Sequence, residues 1–141
     1  MRKFALFGLL LMTLLMGCKD DEETTPNTLI TATLSGSAEV PANPSVATGE
    51  VEGTFNEDTK MLMLNITYTG FTPVAWHIHK AAAGANGGVI FNLGTTIISP
   101  FTFMQALNAE QEADLKAGLY YVNLHSTAYP NGEIRGQLST N

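Results

Sequence analysis

Apolar residues recur at every second position of this chain from Thr28 onward, and this spacing constrains the fold more than any other feature. Along 28–34, 49–56 and 61–68, one face of an extended strand would be apolar and the other polar. The segments 89–93 and 95–99 have the length and composition of further short strands. We therefore predict an all-β domain.

One short helix and a closing hairpin complete the predicted elements. Asn108 can cap a helix near 108–117, with Gln111 placed for the reciprocal capping hydrogen bond. The segments 119–125 and 133–138 are predicted to pair through a turn containing Asn-Gly. About seven or eight short strands without a long helix favour an antiparallel sandwich or barrel.

One predicted strand, Val-Ala-Trp-His-Ile-His-Lys, holds two of the three histidines and the only tryptophan. Successive side chains of a strand point to opposite faces. Val74, Trp76 and Ile78 would therefore share one face, and His77 and His79 the other. Two imidazoles at this spacing stand roughly 6 to 7 Å apart and can reach one metal ion.

The third histidine decides whether a metal site is possible. With His125, the chain has three imidazoles, enough to hold zinc or copper with an open position. Glu133, Asn123 or Arg135 could support such a site by orienting an imidazole from behind.

Two other interpretations of the histidines remain open. His77 and His79 could hydrogen-bond neighbouring strands or loop carbonyls as satisfied polar groups, with His125 tying the last hairpin to them. They could also bind an unknown ligand. Arg135 would share a strand face with Glu133, and we expect it to pair with an acid from a neighbouring strand rather than to bind an anion.

The N-terminal segment 1–17 has the pattern of a secretory signal peptide. A short basic region precedes an apolar run that is too short to span a bilayer, which needs about 20 residues. The sequence Leu-Met-Gly-Cys that ends at Cys18 resembles a bacterial lipobox, in which the cysteine is lipidated. Because Cys18 is the only cysteine, no intramolecular disulfide can form.

Residues 18–27 are predicted to form an acidic tether between the lipidated Cys18 and a single domain at 28–141. The Lys-Asp-Asp that follows Cys18 resembles the surface-export signal of Bacteroidetes lipoproteins, which implies a surface-exposed protein of the outer membrane. The net charge of −6 and the absence of a basic cluster argue against nucleic acid as a partner. We expect the membrane as one partner, through the lipid, and an unknown protein or small-molecule ligand as another.

Four motifs in this order resemble the CHRD domain, a module named after chordin. They are Ala38–Pro41, Ala75–His79, Leu119–Ser126 and Pro130–Leu138. One departure is Lys-Ala-Ala at 80–82, where the family usually has Gly-Pro-Ala. The resemblance implies an antiparallel β-sandwich of immunoglobulin-like appearance.

The His-x-His strand is also similar to part of the ligand set of Cu/Zn superoxide dismutase, a Greek-key sandwich. A second metal would need more ligands than this chain offers. No Gly-x-Ser-x-Gly motif occurs, and the lipid would consume Cys18. We therefore expect a non-enzymatic binding or structural module, with copper or zinc binding as the alternative.

Overall fold

The computed structural model describes residues 27–94 and 98–141, which form an antiparallel β domain with one short helix. The helix α1 spans Ala109–Lys116, and a 3₁₀ turn spans Gly36–Ala38. The strands are β1 (Asn27–Ser35), β2 (Thr48–Asn56), β3 (Met61–Thr69), β4 (Ala75–Lys80), β5 (Gly88–Asn92), β6 (Phe101–Ala106), β7 (Tyr120–His125), β8 (Ile134–Gln137) and β9 (Ser139–Thr140).

All of these strands belong to one sheet, in the order β5-β4-β7-β8-β1-β2-β3-β6, with β9 paired to β1. The two halves of the sheet meet where β8 joins β1 through the single pair Ser35 and Arg135. Two more pairs between β1 and β9 widen this junction. The antiparallel prediction is confirmed, whereas the immunoglobulin-like or superoxide dismutase-like Greek-key sandwich stays a prediction.

The sheet curls so that its two ends face each other across one core. Trp76 of β4 packs on Phe101 of β6, with 4.4 Å between ring centroids. Phe91 of β5 lies 5.7 Å from Phe103 of β6. Both ends of the strand order therefore shield the same apolar interior from water.

Alternation along β3 shows why these residues form strands. Leu62, Leu64 and Ile66 are fully buried, while Met63 and Asn65 between them are exposed. The burial of each such aliphatic side chain contributes about 1.5 to 3 kcal/mol. β3 pairs with β2 along its whole length, as the sequence predicts.

The predicted helix is confirmed together with its cap. Gln111 N–H donates to Asn108 Oδ1, and Asn108 N–H donates to Gln111 Oε1, both at 2.9 Å. The helix ends before Gly118, whose φ of 67° lies in the left-handed region that glycine adopts without strain.

Two details of the sequence prediction differ from the structure. Strand β6 was not predicted, because none of its residues is fully buried and Met104 is exposed. Val74, expected on the apolar face beside Trp76, precedes β4 and is exposed.

Several predictions fall outside the described residues. They are the signal peptide, the lipidated Cys18, most of the tether and the first three residues of the strand expected at 95–99; Ile98 and Ser99 themselves are not in a strand. Within 27–94 and 98–141, no helix is both long and apolar enough to cross a membrane.

Candidate functional site

One face of β4, β7 and β8 gathers polar side chains that are far apart in sequence. In the register of β4 and β7, His77 lies opposite Asn123 and His79 opposite Tyr121. In the register of β7 and β8, Asn123 lies opposite Arg135. Directly paired residues point to the same face of a sheet. We call this surface the histidine face; the other face of the same strands belongs to the core.

The three histidines converge on the histidine face. His125, at the end of β7, pairs with Ala75 and so lies diagonally from His77. His77 Nδ1 is 3.1 Å from His125 Nε2, and one nitrogen from each of the three rings lies within 4.8 Å of the others. The structure thus unites His77, His79 and His125 in one cluster, while metal binding itself stays a prediction.

Backbone carbonyls orient two of the three rings. His79 Nδ1 is 3.0 Å from the carbonyl oxygen of Gly87, and His125 Nδ1 is 3.0 Å from that of Pro130. Because a carbonyl can only accept, the hydrogen-bond network assigns the proton of each neutral ring to Nδ1 and the lone pair to Nε2. This is the arrangement in which metal-ligating imidazoles are usually held.

The spacing of the nitrogens fits a transition metal after a small movement. Metal–nitrogen bonds of about 2.0 to 2.1 Å place the nitrogens of a tetrahedral site about 3.3 Å apart. The pair formed by His77 and His125 is already at this spacing, and the widest pair, at up to 4.8 Å, would have to close by roughly 1.5 Å. Three nitrogen ligands leave a fourth position for a small ligand.

The surroundings of His77 and His125 favour the neutral form of these two rings. Burial lowers the pKa of His77, and the nearby His79 lowers it further. Burial also lowers the pKa of His125; the Pro130 carbonyl opposes this effect, and the other two histidines add to it. Neutral imidazole is the form that binds metal ions.

His79 is part of a stack of three planar groups that crosses three strands. Its ring lies parallel to that of Tyr121, with 4.8 Å between centroids and 7° between planes. The guanidinium carbon of Arg135 lies 3.4 Å from the centroid of the Tyr121 ring on β7. Such cation–π contacts are strongest where water is excluded, and Arg135 is only 2% exposed.

Arg135 also fastens the glycine-rich loop between β4 and β5. Its Nη2 donates to the carbonyl oxygen of Ala85 at 2.8 Å, and its Nη1 to Asn86 Oδ1 at 3.2 Å. The ion pair expected with an acid of a neighbouring strand is wrong, since the described residues give Arg135 only neutral oxygens and the Tyr121 ring as contacts. Because the same loop provides the Gly87 carbonyl, Arg135 supports His79 indirectly.

Glu133 and Asn123 contact groups other than the imidazoles that they were expected to orient. Ser45 Oγ donates to Glu133 Oε1 at 2.8 Å, and Asn123 Nδ2 donates to Glu39 Oε1 at 2.7 Å. The carbonyls of the two loops take the orienting role instead.

The sequence analysis missed Glu39, a buried acid beside the histidine face. It is 8% exposed, and burial raises its pKa to about 7, although Arg135 and the hydrogen bond from Asn123 lower it. One signal was available, because Glu39 is the only charged residue between Ser35 and Thr48.

A cleft of about 320 Å³ opens beside the histidine cluster. Two buried polar atoms of its lining residues, His79 Nε2 and Asn123 Oδ1, have no hydrogen-bond partner among the described residues. The lining residues are Val40, Pro41, His79, Asn86, Gly87, Tyr121, Asn123 and Asn131.

The fold and this site define a class: a small, curled antiparallel β domain with a three-histidine face and an adjoining cleft. The sequence matches the CHRD domain over residues 30–138, about three quarters of the chain, and the chain belongs to this family. Comparisons with curated proteins and with solved structures found no match.

Proposed function

We propose that this protein is a lipoprotein of the cell envelope that displays its CHRD domain as a non-enzymatic binding module, with the cleft beside the histidine face as its binding site. The observation that carries this proposal is the pair of buried, unpartnered atoms His79 Nε2 and Asn123 Oδ1 at one cleft. Buried polar atoms in folded proteins are nearly always hydrogen-bonded, so a pair without partners points to a ligand. In this proposal the two halves of the sheet are the layers of a Greek-key sandwich.

The binding site can be tested by filling the cleft. Asn131→Trp places a bulky side chain at the exposed rim of the cleft, and Asn65→Trp places the same side chain on the exposed face of β3 as a control. A partner captured from envelope extracts by the wild-type protein and by Asn65→Trp should be lost from Asn131→Trp. Equal capture by all three proteins would contradict this location.

The envelope location rests on the lipobox-like segment at Cys18 and the Lys-Asp-Asp that follows it. Cys18→Ala removes the residue that would carry the acyl chains, and stable anchoring needs more than one such chain. This variant should therefore be released from membranes. Alanine in place of Lys19, Asp20 and Asp21 should keep the protein in the membrane but protect it from protease added to intact cells. Unchanged membrane fractionation of Cys18→Ala would overturn the lipid anchor.

A second candidate function is the binding of one copper or zinc ion. One specific observation favours this function. The hydrogen bonds assign a lone pair to Nε2 of both His79 and His125, and one nitrogen of each of these rings lies within 4.8 Å of a nitrogen of His77. The full chain, purified in detergent and reloaded with metal, should hold about one equivalent by elemental analysis. His77→Gln combined with His79→Gln should remove it, and less than about a tenth of an equivalent in the wild type would contradict this function.

A further inference from the structure

We propose that Asn123 holds a small, hydrogen-bond-donating ligand, water in the resting state, at the open position of a metal ion bound by the three histidines. This inference rests on the second candidate function above and adds the class of ligand that the ion would take. Asn123 acts here as a positioning residue, and its amide oxygen is the acceptor.

The placement of Asn123 supports this role. It lies directly opposite His77 across β4 and β7, and it precedes His125 by two residues on the same face of β7. Side chains paired in this way have Cβ atoms about 4.5 to 5.5 Å apart. Asn123 is 3% exposed and shares the lining of the cleft with His79. A ligand at the open side of the cluster would therefore lie beside this amide.

The orientation of the amide is fixed by its surroundings. Its Nδ2 donates to Glu39 Oε1 at 2.7 Å, which turns Oδ1 away from the carboxyl group. Gly132 packs tightly against both groups, since a Cβ there would stand 2.5 Å from Glu39 Oε1 and 2.6 Å from Asn123 Nδ2. Oδ1 is left as a buried acceptor without a partner among the described residues. A group with a donor hydrogen, such as a metal-bound water, would satisfy it.

Asn123 Oδ1 makes the open coordination position selective for ligands that can donate a hydrogen bond. A metal-bound water can donate to Asn123 Oδ1, whereas azide has no hydrogen to donate and brings negative charge towards that oxygen. Exchange of the water for azide would thus break a hydrogen bond and leave Oδ1 buried and unpaired again, which lowers affinity. The donors of Arg135 do not replace the lost hydrogen bond, because they are directed at Ala85, Asn86 and Gln137.

The test uses the full chain loaded with Cu(II) and titrated with azide, followed by the azide-to-copper charge-transfer absorption. Asn123→Thr removes the amide oxygen and keeps a hydroxyl donor for Glu39. We expect Cu(II) affinity to change less than about twofold and azide to bind about threefold tighter or more. The matched control is Asn65→Thr, which makes the same change on the exposed face of β3, away from the cleft, and should leave azide affinity unchanged.

The outcomes separate this inference from the metal function. If the wild type holds no Cu(II), the metal function and the inference both fall. Cu(II) that binds the wild type and is lost when His77 and His79 are replaced by glutamine supports the metal function. If azide then binds wild type and Asn123→Thr equally, only the inference is overturned. Should circular dichroism show that Asn123→Thr does not fold, the wild type decides. Its Cu(II) should bind azide about threefold more weakly than Cu(II) held by three free imidazoles, and equal affinity would overturn the inference.

Discussion

Replacement of Glu39 by glutamine should stabilise the domain increasingly as the pH rises. The folded protein raises the pKa of Glu39 from an ordinary 4.5 to about 7, chiefly by burial. The folded state therefore binds a proton more tightly than the unfolded state does. The resulting contribution to folding stability is complete below about pH 4.5 and is lost as the pH rises through 7. At 1.36 kcal/mol for each tenfold change in proton affinity, the whole effect is about 3 kcal/mol, of which about 2.5 kcal/mol falls between pH 5 and 8.

Glutamine keeps a carbonyl oxygen to accept the hydrogen bond from Asn123 but does not ionise. Urea unfolding at pH 5, 6, 7 and 8 should show the difference in unfolding free energy between Glu39→Gln and wild type growing by about 2.5 kcal/mol. The lowered pKa values of His77 and His125 affect both proteins, so their contribution cancels in the difference. Glu50→Gln makes the same charge change at an exposed position and should stay within about 0.5 kcal/mol of wild type. A difference for Glu39→Gln that stays constant from pH 5 to 8 would refute this account of the buried carboxyl.

Three other substitutions test separate parts of the structure. Asn108→Ala removes the side-chain oxygen that accepts from the Gln111 backbone N–H and should lower the unfolding free energy by about 1 kcal/mol in urea; no change would mean that this side chain contributes nothing to the cap. Arg135→Lys loses the planar stack and the forked donors to the glycine-rich loop and should cost about 2 kcal/mol, with loop amides exchanging hydrogen faster. In the Glu39→Gln background, stability should fall as the pH drops below about 6.5, since the unfolded chain takes up protons that the folded His77 and His125 resist. His125→Gln should reduce that fall, and an unchanged pH profile would contradict it.

The elements that the sequence predicted correctly are those whose local pattern and final environment agree. β3 has a fully buried side chain at every second position from Leu62 to Ile66, so its period could be read directly. The helix carries its own boundary in Asn108 and Gln111, whose side chains bond each other's backbone. β6 carries no such signal, because it lies at the end of the sheet and its aromatic residues are only half buried.

The sequence predicted the three histidines of the candidate site but not the groups that orient their rings. His77 and His79 share a face by simple alternation, and His125 was a candidate as the third histidine. That His125 lies on the strand paired with β4 follows from the structure alone. The groups that orient the rings are backbone carbonyls at Gly87 and Pro130, which every residue type carries and no sequence pattern marks. Their positions depend on loop paths set by tertiary packing.

The alternation along β4 also gives the protein an optical reporter. Trp76, the only tryptophan, is fully buried on the core face of β4, next in sequence to His77 on the histidine face. A paramagnetic Cu(II) ion at the histidines would lie close enough to quench its emission, whereas Zn(II), with its filled d shell, would leave that emission bright. The native fluorescence of the unmodified chain can thus distinguish one metal from the other.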